Sequence, residues 1–367
     1  MIRVFEPSLS WNDKYSVFKS LMKNNISGQS PIVNTFEEKC ADYFDRSYAI
    51  SVSNGSVSLD IALQSLSLKP NDEVIVPSFT IISCLSAIIR SGAKPIFCDV
   101  DPNSWNMRLK DVEEVFTKNT RAVLMVHTYG LVAEATKISN FCKENNLILI
   151  EDAAEAHGQV ENNKKCGSFG LISTFSFYAN KHITTGEGGM VLTNSEEYGK
   201  TLKQMRNLDF TAEKRFQHDN FYWNYRLGGL QAALGVSQLN NIENIIQFKI
   251  NQGSYYLELF EELRDDIQLP LKENGGTKNH FWVFGLVLKK NIDRDKLQKQ
   301  LLNKGIETRS FFWPLHLQKA LNLTKKLQNL NTSEFIGKNG LYIPMGKHVK
   351  KSDQQIIVDE IKYLIHS

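Results

Sequence analysis

Lys181 stands in Ser176-Phe177-Tyr178-Ala179-Asn180-Lys181-His182-Ile183-Thr184-Thr185-Gly186-Glu187-Gly188-Gly189, between two strand-like runs, with the acidic turn Glu151-Asp152-Ala153-Ala154 before it. A free lysine amine has a pKa of about 10.4 and is mostly a poorly nucleophilic ammonium. One already condensed with the aldehyde of pyridoxal phosphate reacts with an incoming amine by exchange. That chemistry needs a carboxylate to keep the pyridine nitrogen protonated, so that the ring accepts electrons from a carbanion, and Asp152 is the candidate. It comes directly after the apolar run Leu147 to Ile150, and ligands of open α/β sheets gather at such strand ends. Ser53-Asn54-Gly55-Ser56 lies between a strand-like and a helix-like segment. Its backbone N–H groups and helix dipole suit a phosphate, with the Ser56 hydroxyl as a further donor and Gly55 allowing close approach.

These residues need a framework, and the pattern supplies one. Short apolar runs at Tyr48 to Val52, Glu73 to Val76, Pro95 to Cys98, Ala122 to Val126, Leu147 to Ile150, Ser173 to Tyr178 and Gly189 to Thr193 predict a mostly parallel sheet. Between them, Ser56 to Leu68, Ile81 to Ser91, Leu109 to Phe116 and Glu134 to Asn145 have helical apolar spacing, which predicts crossover helices on both faces. A long helical stretch from Leu230 to Leu263 then leads to a strand at Phe281 to Leu288, an amphipathic Arg294 to Lys304 and a last helix near Gln354 to Leu364. The expected division is a large cofactor-binding domain at 1–245 and a smaller α+β domain at 246–367.

Composition excludes several classes. The 367 residues are 42% hydrophobic and 23% charged, ordinary for a globular enzyme. A net charge of +3, from 43 basic and 40 acidic side chains, is too even for nucleic-acid binding through a general field. The five cysteines are scattered without a Cys-x-x-Cys pair, and the eight histidines form no His-x-x-x-His array, so neither a disulfide framework nor a metal site is expected. No apolar stretch reaches about 18 residues and the N-terminus has no signal core, so a cytoplasmic protein without a membrane span is expected. No Gly-x-Gly-x-x-Gly follows an early strand, which argues against a nicotinamide dehydrogenase.

Val52-Ser53-Asn54-Gly55-Ser56, Asp72-Glu73-Val74-Ile75-Val76-Pro77, Glu151-Asp152-Ala153-Ala154-Glu155-Ala156, Phe175-Ser176-Phe177-Tyr178 and Asn224-Tyr225-Arg226 occur in one order along the chain. In that order and spacing they resemble the DegT/DnrJ/EryC1/StrS sugar aminotransferases over nearly the whole length, most of all the GDP-perosamine synthase-like members. The resemblance implies the aspartate aminotransferase fold (type I of the PLP-dependent transferases), with a large, mostly parallel seven-stranded sheet domain and a smaller α+β C-terminal domain. It implies Lys181 as the catalytic residue and proton shuttle, where related dehydratases carry histidine. It further implies Phe79 and Ala154 on the two faces of the cofactor ring, Asp152 at its nitrogen, and Glu155 near its phenolic oxygen, where an acid needs a donor or a shared proton. Gly55, Ser56 and Ser176 would hold the phosphate, joined by Asn224 from a neighbouring subunit, hence a homodimer with shared active sites.

By the same resemblance His316 is a substrate candidate; Arg226 and Arg309 are candidates as anion partners, while His127 and His157 are expected to be structural histidines that can line the pocket. The cofactor would alternate between pyridoxal and pyridoxamine 5'-phosphate. The implied reaction moves an amino group from L-glutamate to a nucleotide-linked 4-keto-6-deoxyhexose for surface polysaccharide. Two segments depart from the family pattern, Asn24-Asn25-Ile26-Ser27 and Leu227-Gly228-Gly229, both on the expected substrate side. They leave room for a small phosphorylated ketone such as dihydroxyacetone phosphate, and a catalytically silent binding protein is the alternative from another class.

Overall fold

The computed structural model describes residues 1–211, 215–289, 292–321 and 330–366. Its helices are α1 Trp11–Met22, α2 Pro31–Tyr43, α3 Gly55–Gln64, α4 Ile82–Arg90, α5 Leu109–Val115, α6 Ala135–Glu144, α7 Glu196–Arg206, α8 Gly229–Leu239, α9 Ile242–Leu259, α10 Arg294–Asn303, α11 Asn331–Asn339 and α12 Lys351–His366. A seven-stranded sheet is built from β1 Tyr48–Val52, β2 Glu73–Pro77, β3 Lys94–Cys98, β4 Thr120–Val126, β5 Ile148–Asp152, β8 Ile172–Ser176 and β9 Gly189–Thr193, in the order β1-β9-β8-β5-β4-β2-β3. Only β9 runs antiparallel to its neighbours in that sheet. A hairpin of β6 Val160–Glu161 and β7 Lys164–Lys165 lies between β5 and β8 in the chain.

Strand alternation explains why these runs are apolar throughout: Val123 and Met125 of β4 enter one core cluster, while Ala122, Leu124 and Val126 enter the other. Helices α2, α6 and α8 contribute Phe36, Ile138 and Ala232 to the first, and α3 and α4 contribute Ile61 and Leu85 to the second. Each fully buried Val, Leu, Ile or Phe of this kind is worth roughly 1.5–3 kcal/mol.

The second sheet has β10 Ile267–Gln268, β13 Phe284–Leu288, β14 Arg309–Ser310 and β15 Gly340–Ile343 in the order β10-β13-β15-β14, beside a hairpin of β11 Glu273–Asn274 and β12 Thr277–Lys278. The N-terminal residues, counted with the large domain on sequence, hydrogen-bond here: Ile2 pairs with Gly305 and Glu307, and Val4 O accepts from Met345 N–H. Among the described residues no helix is long and apolar enough to cross a membrane.

Three expectations are corrected locally. The single helix expected from Leu230 to Leu263 is broken at Asn240-Asn241, where Asn241 N–H turns to Gln238 O at 3.1 Å; asparagine side chains compete for the backbone and break helices. The strand expected from Phe281 starts only at Phe284, because Phe281 has φ +46° and its N–H is taken by Asn279 Oδ1 at 2.7 Å. β8 stops at Ser176 because Tyr178 N–H turns back to Ser176 Oγ at 3.3 Å.

One buried carboxylate ties the sheet to its loops. Glu151 accepts from Gly167, Phe169 and Gly170 N–H at 2.5, 2.8 and 3.0 Å and from Ser173 Oγ at 2.9 Å. His127 Nδ1 accepts from Ala133 N–H, so its Nε2 carries the proton and donates to Glu151 at 3.0 Å. Burial pushes the Glu151 carboxyl up, but the His127 bond and the Gly167 and Gly170 N–H groups outweigh it and hold the pKa at about 2, below the ordinary 4.5. The folded value is depressed, so this contribution to stability is complete above about pH 4.5 and is lost as pH falls toward 2. Glu151→Gln is expected to lower unfolding free energy by about 3–5 kcal/mol at pH 7, read from urea midpoints, with the gap to wild type narrowing toward pH 3; equal midpoints at pH 7 would contradict the anchoring role.

Candidate active site

The ends of β5 and β8 and the start of α3 meet at one cavity of about 530 Å³, lined by Gly55, Ser56, Asp152, Ala154, Glu155, Ser176 and Lys181 among others. Lys181 sits on the loop from β8 to β9, its N–H bonded to Tyr178 O at 2.9 Å. Its Nζ lies 3.4 Å from Glu155 Oε1 and 3.8 Å from the centre of the Trp282 ring. Trp282 also donates Nε1–H to Asn180 O at 2.9 Å, so one side chain from the second sheet holds both the turn and the amine.

The two cavity acids differ in their partners. Asp152 is 3% exposed and accepts only from Ala154 N–H at 3.1 Å and, weakly, from the Cys84 thiol at 3.4 Å. Burial pushes its carboxyl up. Glu155 takes Tyr129 N–H at 3.0 Å and the Lys181 contact, yet burial still pushes it up to about 7, with Lys181 and the Tyr129 N–H pulling the other way. It therefore keeps its proton nearly to neutrality, as the sequence led one to expect of an acid there.

Asn54 caps α3, accepting Val57 N–H at 3.0 Å, and leaves the Gly55 and Ser56 N–H groups without helical acceptors. A Cβ on Gly55 would come within 2.6 Å of Ser176 Cβ, so glycine is what lets the end of β8 reach the helix N-terminus. Ser56 Oγ is 2.7 Å from Ser83 Oγ, which belongs to α4 and faces the same cavity.

Other candidates lie elsewhere. Phe79 is fully buried among Tyr129, Phe311 and Phe312, and the cavity wall past β2 is formed by Thr80 and the part-exposed Ile81. The backbone leaves the strand register after Pro77, so the residue that faces the cavity comes later than Phe79. His316 is buried, bonded through Nδ1 to Ser78 Oγ at 2.6 Å and lying 3.3 Å from Glu334, and does not line the cavity. Arg309 pairs with Glu307 at 3.5 Å and stacks over Phe5, beside a separate surface groove. Asn224 is exposed and Arg226 reaches Asn207 Oδ1 at 2.5 Å; neither lines this chain's cavity.

Sequence reasoning missed the wall supplied by Trp282, Phe312 and Tyr342; His127, expected to be structural, lines the cavity while bonded to Glu151. Cys166 lies close to that pair, but both His127 nitrogens and the Glu151 oxygens are committed to hydrogen bonds, so the trio reads as structural.

A buried aspartate with no ion pair among the described residues, a glycine-opened helix N-terminus and a lysine amine in one cavity fit pyridoxal phosphate. Asp152 would hold the pyridinium nitrogen, Lys181 the aldehyde carbon, and Gly55, Ser56 and Ser176 the phosphate. With that cofactor, fold and site are those of a pyridoxal-phosphate-dependent aminotransferase of the aspartate aminotransferase type. The DegT/DnrJ/EryC1/StrS aminotransferase family matches residues 11–362, and the chain belongs to it. It is 37% identical to the GDP-perosamine synthase of Vibrio cholerae over 318 residues, 86% of each chain. Against the GDP-perosamine synthase of Escherichia coli O157:H7 it is 35% identical over 356 residues, 97% of this chain and 96% of that one. The solved aminotransferase from Psychrobacter cryohalolentis superposes with a TM-score of 0.91 at 25% identity, covering 99% of both chains.

Reconstituted protein is expected to show a visible absorption band that borohydride removes and that Lys181→Ala lacks. Asp152→Asn is expected to keep a band but lose roughly a thousandfold in kcat. A colourless wild type, or an Asp152→Asn variant of full activity, would break the assignment.

Proposed function

We propose that the enzyme transfers an amino group from L-glutamate to the keto group of a nucleotide-linked 4-keto-6-deoxyhexose, as a step toward surface polysaccharide. The observation that carries this reading is the shared cavity of Lys181 and Asp152: at about 530 Å³ it leaves room beside the cofactor for a sugar ring. Similarity to enzymes named GDP-perosamine synthase supports the substrate class. When bound, pyridoxal phosphate supplies an electron sink for the charge that develops at the substrate carbon. Asp152, buried and anionic beside a cation, keeps that sink charged.

Lys181 Nζ is the base placed to take the proton from the α-carbon of the amino acid and to return one to the carbon that becomes the amine. Glu155, protonated to about pH 7, steadies the amine through the 3.4 Å contact and supplies a hydrogen-bond donor. Trp282, Phe312 and Tyr342 screen this proton transfer from water on the side of the second sheet. A silent binding protein would have no use for a lysine held between Glu155 and Trp282, and no observation favours a triose phosphate.

The working unit we propose is a homodimer in which each chain lends Asn224 to its partner's phosphate site. Helix α1 supports it by leaving Trp11, Tyr15, Phe18 and Met22 exposed on one face, at 79%, 58%, 55% and 69%. Phe221 and Trp223 project into solvent beside Asn224.

Glutamate with a panel of keto substrates is expected to release 2-oxoglutarate with nucleotide 4-keto-6-deoxyhexoses; turnover confined to dihydroxyacetone phosphate would overturn the substrate assignment. Phe18→Glu combined with Trp223→Glu is expected to yield monomer by light scattering and to lower kcat at least tenfold. A fully active monomer would refute the shared site.

A further inference from the structure

On the far side of the Asn180-Lys181-His182 turn from the catalytic cavity lies a second, smaller one of about 70 Å³. Lys249 of α9 lines it. This lysine is only 9% exposed, and among the described residues its ammonium has neither a hydrogen bond nor an ion pair. Burial pushes its pKa down to about 7, with no neighbouring carboxylate opposing that fall. A lysine so placed is disfavoured in its charged form unless something of opposite charge meets it, because an unpaired ammonium drawn mostly out of water gives up solvation.

The surroundings select the sign and size of that partner. Lys347 stands exposed at the cavity and Lys181 borders it, while Glu6, the one acid among the lining residues, is engaged with Arg3 at 3.7 Å. Asn180, which lines the cavity, has its Oδ1 buried without a partner; turned over, the amide would present N–H in place of that oxygen. The neighbouring histidines each leave one ring nitrogen without a partner, Nε2 of His157 and Nδ1 of His182. His157 Nδ1 accepts from Ile183 N–H, which puts the proton on Nε2, and His182 donates Nε2–H to His280 O, which leaves Nδ1 an acceptor. His182 lines the cavity beside Lys249, and as a neutral ring it adds no negative charge there. Its volume is several times the roughly 10–15 Å³ needed for one water, enough for a carboxylate group or a phosphate ion and too small for a sugar or a nucleotide.

We propose that the Lys249 cavity is a binding site for a compact oxyanion, the chemistry shared by a small carboxylate and inorganic phosphate, held behind the turn that carries Lys181. The site does not depend on which ketone the enzyme aminates.

The test uses holoenzyme, whose catalytic phosphate site is filled by its own cofactor, at constant ionic strength with gluconate as the bulky balancing anion. Acetate and phosphate are titrated separately. Wild type is expected to show a saturable rise in thermal midpoint of about 2 °C or more with at least one of them, and Lys249→Met to lose the rise while keeping the visible band. A response to acetate alone assigns a carboxylate, to phosphate alone a phosphate, and to both the shared oxyanion class. No saturable response in wild type, or an undiminished one in Lys249→Met, overturns the proposal. Should Lys249→Met fail to fold, selenate-soaked crystals of wild-type holoenzyme decide: an anomalous peak in contact with Lys249 Nζ supports the site, and a cavity holding only water refutes it.

Discussion

Two consecutive acids at the end of β5 are treated in opposite ways, and the rest of the site depends on that difference. Alternation sends Glu151 and Asp152 to opposite faces of the sheet. Glu151 meets a saturated ring of donors and stays ionised with no exchangeable partner. Asp152 meets one N–H and one weak thiol donor, too little to satisfy a buried carboxylate. The first acid fixes the strand end and the loop after β7 in place. The second is thereby left short of donors at a position fixed by its neighbour, which suits a group that must hold a pyridinium nitrogen.

Lysine placement follows a similar logic across the two sheets. The loop from β8 to β9 is pinned on its own side by Thr184 Oγ1 to Phe177 O at 3.0 Å and by Thr185 N–H to the same carbonyl at 2.9 Å. From the other side Trp282 holds Asn180 O and lies under the amine. Trp282 can do this because Phe281 takes a left-handed backbone before β13 begins, and Phe281 is locked there by Asn279 and packed against Gly253. A backbone conformation unfavourable for phenylalanine is thus spent on aiming the next residue at the catalytic amine.

Much of this was legible in the sequence, and the reasons for the rest are physical. The strand runs, Asp152, Lys181 and the Asn54-Gly55-Ser56 turn were readable because a strand end followed by a helix start leaves a local signature. Phe79, carried over from the family resemblance, is packed away from the cavity because the chain leaves the strand at Pro77 and the loop beyond it turns Ile81 to the cavity instead. The Trp282, Phe312 and Tyr342 wall was invisible because it forms only when the second sheet docks, a long-range event with no local pattern. His316, also taken from the resemblance, is buried and bonded to Ser78 just beyond β2, outside the cavity lining. Helices α1 and α2 went unread, their apolar residues being divided between the core, as with Phe36, and the exposed stripe of Trp11, Tyr15, Phe18 and Met22.

The two departures from the family pattern prove to be one structural feature. Gly229 N–H bonds Ile26 O at 3.0 Å, and a side chain on Gly229 would collide with Asn25 O. Gly28 packs in turn against Arg226, where an added Cβ would lie 2.7 Å from the arginine's Cβ. Segments 24–28 and 226–229 are therefore packed as one unit, small residues on one side admitting the turn on the other. This seam sits beside Asn224, away from the cavity walls of its own chain. On the dimer proposed above, a change there leaves the Lys181 and Asp152 chemistry intact and acts on the rim of the partner's site. The amine and the two cavity acids are then set within one chain, while the phosphate site and the substrate rim are completed across two.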